Sequence, residues 1–246
     1  MERSEIRQEI SQFCKKLAFS QNPVHLCDLE ATPKQEEFLY RIFSEELAHR
    51  ERMRKERLFR KAAFPIRKTL EAYEFNQIKL PSTITLDELT TCQFIHDKRN
   101  LVLYGPVGTG KTHLAVALGV KACELGINTR FFTVASLVTR LRETKQAGGL
   151  EKTLKELETA QLIILDEWGY LPLDREDAQL LFQVVADSYE RRSLVVTTNL
   201  EFSKWGGIFT DDQMAAAMID RLAHHGHLIV FEGESYRLKN ALMRKK

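Results

Sequence analysis

The sequence feature that most constrains the fold is a glycine-rich segment at residues 105–112, GPVGTGKT. An apolar run of strand length at residues 100–104 precedes it, and a helical pattern over residues 111–124 begins at its end. The spacing G-x-x-x-x-G-K-[ST] between a strand and a helix is typical of a loop whose backbone N–H groups surround phosphate oxygens. A helix that begins there adds partial positive charge. The segment therefore predicts a nucleotide-phosphate site on an α/β fold.

Nine consecutive residues are expected to contact the nucleotide. The lysine is expected to reach the β- and γ-phosphates, and the threonine hydroxyl to bind Mg²⁺. Average residue usage gives such a string by chance in about one chain of this length in a hundred. The nine residues are Gly105, Pro106, Val107, Gly108, Thr109, Gly110, Lys111, Thr112 and His113.

Beyond residue 69, apolar runs of strand length alternate with helical patterns. Such runs are typical of a parallel sheet covered by helices on both faces. The runs lie at residues 100–104, 129–134, 162–166, 194–198 and 228–231. We therefore predict an α/β domain over residues 69–246, with a parallel sheet of about five strands.

Residues 1–68 carry helical patterns and no run typical of a strand. Apolar residues recur at helical spacing from Ile6 to Leu17, and a second helix is expected to begin at Pro33, with Thr32 and Gln35 as a capping box. We predict a small all-helical N-terminal domain over residues 1–68 that contacts a partner or DNA.

Polar side chains follow two of the predicted strands. Asp166 and Glu167 end the third run, and Asn199 ends the fourth. Ligands of open α/β sheets bind at the carboxyl ends of the strands. Asp166 is expected to hold Mg²⁺ with Thr112, Glu167 to polarise an attacking water, and Asn199 to orient that water or touch the γ-phosphate. The sequence thus predicts a Mg²⁺-dependent ATPase. A small-molecule kinase, which typically lacks this pair of acids, is the alternative from another class.

Local basic patches are the candidates for nucleic-acid binding, because the net charge of the chain is only +2. Two short helical patterns joined by a Gly-Gly pair carry one set, and residues 50–68 carry another. No aromatic residues are interleaved there for base stacking, which favours backbone contacts to duplex DNA. Solvated helix faces are the alternative, and for residues 50–68 also a partner-docking helix. The candidates of the first set are Arg140, Arg142, Lys145 and Lys152.

Two arginines near the end of the chain are candidates for stabilising transition-state charge, Arg221 and Arg237. Spacing alone does not choose between them. Nearby, the spacing of His224, His225 and His227 suits no common zinc site, so we expect a solvated loop there. The charged N-terminal residues and short apolar runs predict a cytoplasmic protein without a membrane partner.

Several motifs together resemble the IstB family of AAA+ ATPases, which are related to the bacterial DnaC helicase loaders. The resemblance covers nearly the whole chain. The segments that carry it are GPVGTGKTHLAVALG, LIILDEWGYLPL, TTNL, MIDRLAHHGHLIV, GESYRLKNAL and the junction FPIRKTLEAYEF.

The resemblance implies a transposition helper that oligomerises on double-stranded DNA, hydrolyses ATP and cooperates with a transposase in selecting target DNA. It further implies that ATP lies between subunits of a homo-oligomer. Arg221 would then act as the finger that reaches into a neighbouring site, and Arg237 as a second sensor arginine. A DnaC-like replicative helicase loader is the alternative, because its motor residues are the same.

Overall fold

The helices and strands group into two compact units, Met1–Arg57 and Leu58–Lys246. The computed structural model describes residues 2–170, 172–209 and 211–236. The division falls within a long helix, whereas the sequence places the domain boundary after residue 68.

The N-terminal unit is helical, as predicted. Its helices are α1 (Arg3–Leu17), α2 (Asn22–Glu30) and the first part of α3 (Pro33–Ala62). The predicted stripe on α1 is buried at Ile10, Phe13 and Leu17, together with Phe43 of α3. The start of α3 is also as predicted, since the Gln35 side chain accepts the Thr32 backbone N–H at 2.8 Å. Helix α2 is not predicted from the sequence, because it is only nine residues long.

A buried carboxylate ties α1 to α3 within this unit. Glu36 is fully buried and accepts hydrogen bonds from Arg3 Nε at 2.9 Å and from Arg7 Nη2 at 2.6 Å. The hydrogen bond from Arg3 is the largest of several effects that lower the pKa of Glu36 to about 2.

The second unit is built around a six-stranded sheet whose strands lie in the order β1-β6-β2-β5-β4-β3. All neighbouring strands are parallel except β1, which runs antiparallel to β6. The five predicted strands are confirmed, and β1 is an additional edge strand of two residues that the sequence analysis missed. The elements are β1 (Ile78–Lys79), α4 (Leu86–Thr90), α5 (Gln93–His96), β2 (Asn100–Tyr104), α6 (Lys111–Glu124), β3 (Thr129–Thr133), α7 (Val134–Gln146), α8 (Leu150–Glu158), β4 (Leu162–Trp168), α9 (Arg175–Ser188), β5 (Ser193–Thr198), α10 (Gly206–Phe209), α11 (Asp212–His224) and β6 (Gly226–Phe231).

Both faces of the sheet are covered, which explains the continuous apolar runs. Ile164 of β4 belongs to a core with Leu114 of α6, whereas the adjacent Leu165 packs in a second core with helices α7 and α9. The carboxyl ends of the parallel strands β2, β4 and β5 therefore meet at one edge, where α6 begins. In the part of the chain that the structure describes, no helix has the length and apolarity needed to cross a bilayer.

Candidate nucleotide site

The loop after β2 approaches the end of β6 so closely that glycine is required. Gly105 has a φ of +152°, and a Cβ added to it would lie 2.4 Å from the carbonyl oxygen of Phe231. Gly108 has a φ of +83°, and its added Cβ would lie 2.0 Å from Ser235 Oγ. Larger residues fit neither position without movement of the backbone. Glycine at these two positions therefore lets the loop pack directly against the end of β6 and against Ser235.

The predicted lysine folds back onto the loop. Lys111 is the first residue of α6, and its ammonium donates hydrogen bonds to the carbonyls of Gly105 and Pro106, both at 2.7 Å. The side chain is only 9% exposed, so these carbonyls provide the acceptors that a buried ammonium needs. The Thr109 hydroxyl donates to Pro106 as well, at 2.8 Å, while Val107 stays half exposed at the tip of the loop. The positive charge of Lys111 is thus held inside the loop.

Three side chains from three elements meet at the buried carboxylate of Asp166. The hydroxyl of Thr112, in the first turn of α6, donates to Asp166 Oδ1 at 2.8 Å. The hydroxyl of Thr197, near the end of β5, donates to the same oxygen. The structure therefore brings the predicted pair Thr112 and Asp166 together, and it adds Thr197. A hydroxyl and a carboxylate are the oxygen donors that Mg²⁺ prefers, so these residues fit that ion.

Glu167 follows Asp166 in β4, but its side chain is exposed whereas that of Asp166 is buried. The pairing of β4 with β5 is irregular between Leu165 and Trp168, and Glu167 has a φ of +62°. Its backbone N–H donates to the Thr197 hydroxyl at 3.1 Å, and its side chain is exposed. A bulge of this kind re-aims a side chain, which here leaves the Glu167 carboxylate accessible from solvent.

Two buried polar atoms beside the loop have no hydrogen-bond partner among the described residues: Asn199 Oδ1 and His113 Nε2. Asn199 follows Thr198, whose carbonyl accepts the Gly105 N–H at 3.3 Å. The His113 ring packs edge-on against Tyr73 at 5.2 Å, and burial is the first cause that lowers its pKa. Buried polar atoms without partners are rare and are commonly satisfied by a ligand or water.

The segment after β6 reaches the same loop. The Tyr236 N–H donates to the Gly108 carbonyl at 3.0 Å, next to the close approach of Ser235. Arg237, the second predicted arginine, lies outside the described residues.

Arg221 lies at the opposite edge of the sheet. Its guanidinium stacks 5.0 Å from the Phe182 ring centroid and donates to the Ala217 carbonyl at 2.8 Å. Its own carbonyl accepts from the Asn100 side chain, at the first residue of β2. The phosphate loop follows Tyr104, the last residue of the same strand. At about 3.3 Å per residue, the two ends of β2 lie about 13 Å apart. The structure therefore does not bring Arg221 to the other predicted site residues of its own chain.

Three of the four basic residues predicted to contact DNA are in ion pairs. These pairs join α7 to α8 and α9. The pairs of Arg140 and Lys145 are exposed, so each stabilises the fold by about 1 kcal/mol or less, whereas the Asp177 carboxylate of the third pair is buried. Lys152 lies exposed on α8. The pairs are Arg140 with Glu156 at 2.8 Å, Arg142 with Asp177 at 3.1 Å and Lys145 with Glu176 at 2.7 Å.

Comparison with known proteins identifies the family. The model of the family described as IstB-like ATP binding protein matches residues 18–244. The chain belongs to the IstB-like family. The resemblance noted in the sequence is thereby confirmed, and the match includes the whole phosphate loop.

Individual relatives of this chain align over most of their length. The insertion sequence IS21 ATP-binding protein of Pseudomonas aeruginosa is 40% identical over 86% of this chain and 81% of its own. The insertion sequence IS5376 ATP-binding protein of Geobacillus stearothermophilus is 38% identical over 85% of this chain and 84% of its own.

A solved structure extends the comparison to the fold. AMPPCP-bound DnaA from Aquifex aeolicus superposes with a TM-score of 0.56 over 70% of this IstB-like chain and 52% of that chain. The two are 20% identical, so the likeness shows the fold alone. Together with the topology of the sheet, it confirms the predicted α/β fold with a mostly parallel sheet.

Two residues beside the site of this IstB-like chain were given no role by the sequence analysis. Thr197 lies within the polar strand end that pointed to Asn199, but its link to Asp166 depends on the pairing of β4 with β5. Tyr73 lies in the junction segment, and its ring comes within 3.5 Å of a Cβ added to Gly110. The ring is partly buried, and this burial raises the pKa of Tyr73.

Proposed function

We propose that this protein is an ATP-hydrolysing transposition helper that oligomerises on duplex DNA and cooperates with a transposase in selecting target DNA. The observation that carries the ATPase part is the buried Asp166 carboxylate, which accepts from Thr112 and Thr197 beside the lysine of the phosphate loop. The transposition part is supported by similarity to proteins encoded by insertion sequences.

The proposed chemistry divides among five residues. Thr112 and Asp166 would hold Mg²⁺, which when bound neutralises charge on the phosphates. Lys111 exchanges its loop carbonyls for oxygens of the β- and γ-phosphates. The exposed Glu167 carboxylate orients the attacking water and accepts its proton. The unpartnered Asn199 oxygen accepts a hydrogen bond from the same water.

Arg221 and Arg237 are the proposed arginines of a catalytic site that is shared between copies. Arg221 supplies positive charge to the ATP site of a neighbouring copy, which is consistent with its place far from the site of its own chain. Arg237 is the second arginine of the transition state. Arginine is suited to both roles because it stays protonated and bonds two phosphate oxygens at once.

Duplex DNA is the proposed polymer ligand, with Arg140, Arg142, Lys145 and Lys152 as backbone contacts. The ion pairs of Arg140 and Lys145 are exposed and weak, so a phosphate can replace their carboxylate partners at little cost. Asp177 is buried, so Arg142 would contact a phosphate while it keeps that pair. Such contacts are independent of sequence and weaken steeply with added salt.

Light scattering coupled to size-exclusion chromatography tests the proposal, with a long duplex and either Mg²⁺-ATP or ADP. The wild type should form a large complex with ATP and duplex and should release phosphate. Glu167→Gln should bind ATP and hold the complex, because the water is no longer deprotonated. Lys111→Ala should bind no nucleotide by calorimetry. Glu201→Gln, an exposed carboxylate that follows β5, is the matched control and should behave as wild type.

Two outcomes would count against the proposal. If Glu167→Gln turned over ATP as fast as wild type, Glu167 would not be the residue that activates water. A monomer under every condition would remove the shared-site mechanism and favour the small-molecule kinase.

A further inference from the structure

Two histidines and a glutamate converge at the edge of the sheet opposite the phosphate loop. His224 ends α11, His225 follows it, and Glu190 lies in the turn after α9. One ligand atom from each of these side chains lies within 4.8 Å of the other two. Within residues 2–170, 172–209 and 211–236, this is the one such group of three His, Cys, Asp or Glu side chains. We propose that Glu190, His224 and His225 form a site for a divalent transition metal such as Zn²⁺.

Small movements of the three side chains would give the distances between ligand atoms that are found around a bound metal. Ligand atoms at about 2.1 Å from a tetrahedral Zn²⁺ lie roughly 3.4 Å from one another. His225 Nε2 and Glu190 Oε1 are already 2.9 Å apart, joined by a hydrogen bond. A metal takes the place of that proton, and the nitrogen and oxygen need to separate by only about half an ångström. The glutamate side chain is 59% exposed, so it can move at little cost.

The remaining contacts hold the first histidine in place. The Tyr189 hydroxyl lies 2.7 Å from His224 Nδ1, and the rings of His224 and His225 pack 4.2 Å apart. A hydrogen bond to one ring nitrogen fixes the tautomer and the orientation of a histidine whose other nitrogen binds metal. His224 Nε2 is therefore the ligand atom we assign, with Tyr189 as the group behind it.

One charged neighbour must move aside. Arg99 Nη1 lies 3.3 Å from His225 Nδ1, and both would present an N–H once the metal is on Nε2. The Arg99 side chain is exposed at this surface, so it can turn into solvent. The opening also leaves room for water to complete the coordination.

The donor set selects the kind of metal. Two imidazole nitrogens and one carboxylate oxygen suit Zn²⁺, Ni²⁺ and Cu²⁺, whereas Mg²⁺ prefers oxygen ligands. This site is therefore chemically distinct from the pair Thr112 and Asp166. A bound metal would join the end of α11 to the turn after α9. These two helices also carry the stacked pair Arg221 and Phe182. It should stabilise the second unit against unfolding.

Calorimetry on the full-length, metal-stripped protein without nucleotide tests the site, with ZnCl₂ as the probe. We expect one ion per chain and a rise in the thermal midpoint of about 5 °C at a hundredfold excess over the dissociation constant. Glu190→Gln and His225→Asn should each weaken binding by at least about tenfold, because each removes one of three protein ligands. His96→Asn removes an exposed histidine of the same unit and should leave binding unchanged.

Cobalt substitution gives a second readout on the wild type alone. Co²⁺ should show visible bands for nitrogen and oxygen ligands, and a large excess of Mg²⁺ should not displace it. A thiolate-to-cobalt band would assign the metal to cysteines and overturn the proposal, as would displacement by Mg²⁺. Absence of Zn²⁺ binding at 100 µM, on the order of weak adventitious sites, or unchanged binding by His225→Asn, would also refute it.

Discussion

Replacing Thr197 by valine should separate the role of its hydroxyl in the site from its role in the fold. Valine has nearly the same shape, but it cannot donate to Asp166 or accept the Glu167 N–H. Thr197 is 2% exposed, so water does not replace the lost partner. In the variant, the Asp166 carboxylate and the Glu167 N–H therefore both lose their hydrogen bond with residue 197.

The magnitude follows from the two bonds. A hydrogen bond to a charged group contributes about 1.5–3 kcal/mol, which corresponds to a fall in turnover of about 10- to 150-fold if the contact is needed in the transition state. Loss of both bonds should lower the free energy of unfolding by about 2 kcal/mol and the thermal midpoint by about 4–8 °C.

Thr198→Val is the matched control. Thr198 is 1% exposed, and its hydroxyl also donates one hydrogen bond and accepts one, to Trp168 at 2.9 Å and from Leu200 at 3.1 Å. The two variants should lose similar stability, but phosphate release should fall much further in Thr197→Val. Equal turnover in the two folded variants would refute the argument that Thr197 positions Asp166 and Glu167. Thr197→Ser, which keeps the hydroxyl, should restore most of the activity.

Two further predictions concern other parts of the chain. Arg221→Ala should bind ATP with nearly unchanged affinity but hydrolyse it about 10³-fold more slowly. If the site is shared between copies, mixing this variant with Glu167→Gln should restore part of the activity. No recovery on mixing would argue against action between copies. The depressed pKa of Glu36 means that its ion pairs stabilise the fold fully above its ordinary pKa of 4.5, and that this stability is lost as the pH falls toward 2. Thermal unfolding between pH 5 and 3 should therefore be less pH-dependent in Glu36→Gln than in wild type, and parallel curves would contradict this reasoning.

Local patterns were sufficient to predict the elements that build the site. The helix from Lys111 to Glu124 and the apolar strand before Asp166 each carry their signal within a few residues, and both are confirmed. These segments are long and regular, so periodicity and flanking glycines define them without tertiary information. The two-residue strand β1 has no such signal, because its pairing with β6 alone defines it.

The contacts that the sequence did not predict join side chains that are distant in sequence. Glu190 lies 2.9 Å from His225 only because α9 and α11 pack side by side, so histidine spacing alone gave no reason to consider a third ligand. The acidic partners of Arg142 and Lys145 come from the first turn of α9, 35 and 31 residues further along the chain. Periodicity predicts which face of a helix is buried, but it does not predict which charged residue lies opposite.

The position of Arg221 limits how it can act. Its guanidinium is held by Phe182 and by a backbone carbonyl of its own helix, at the edge of the sheet where β2 begins. An arginine side chain extends about 7 Å from its Cα, which is shorter than the roughly 13 Å length of β2 that separates this edge from the phosphate loop. Rotation of the side chain therefore does not bring it to the ATP site of the same chain. If Arg221 takes part in hydrolysis, it does so in a second copy. The rate of phosphate release should then rise more steeply than in proportion to the concentration of the wild type, whereas the residual rate of Arg221→Ala should rise only in proportion.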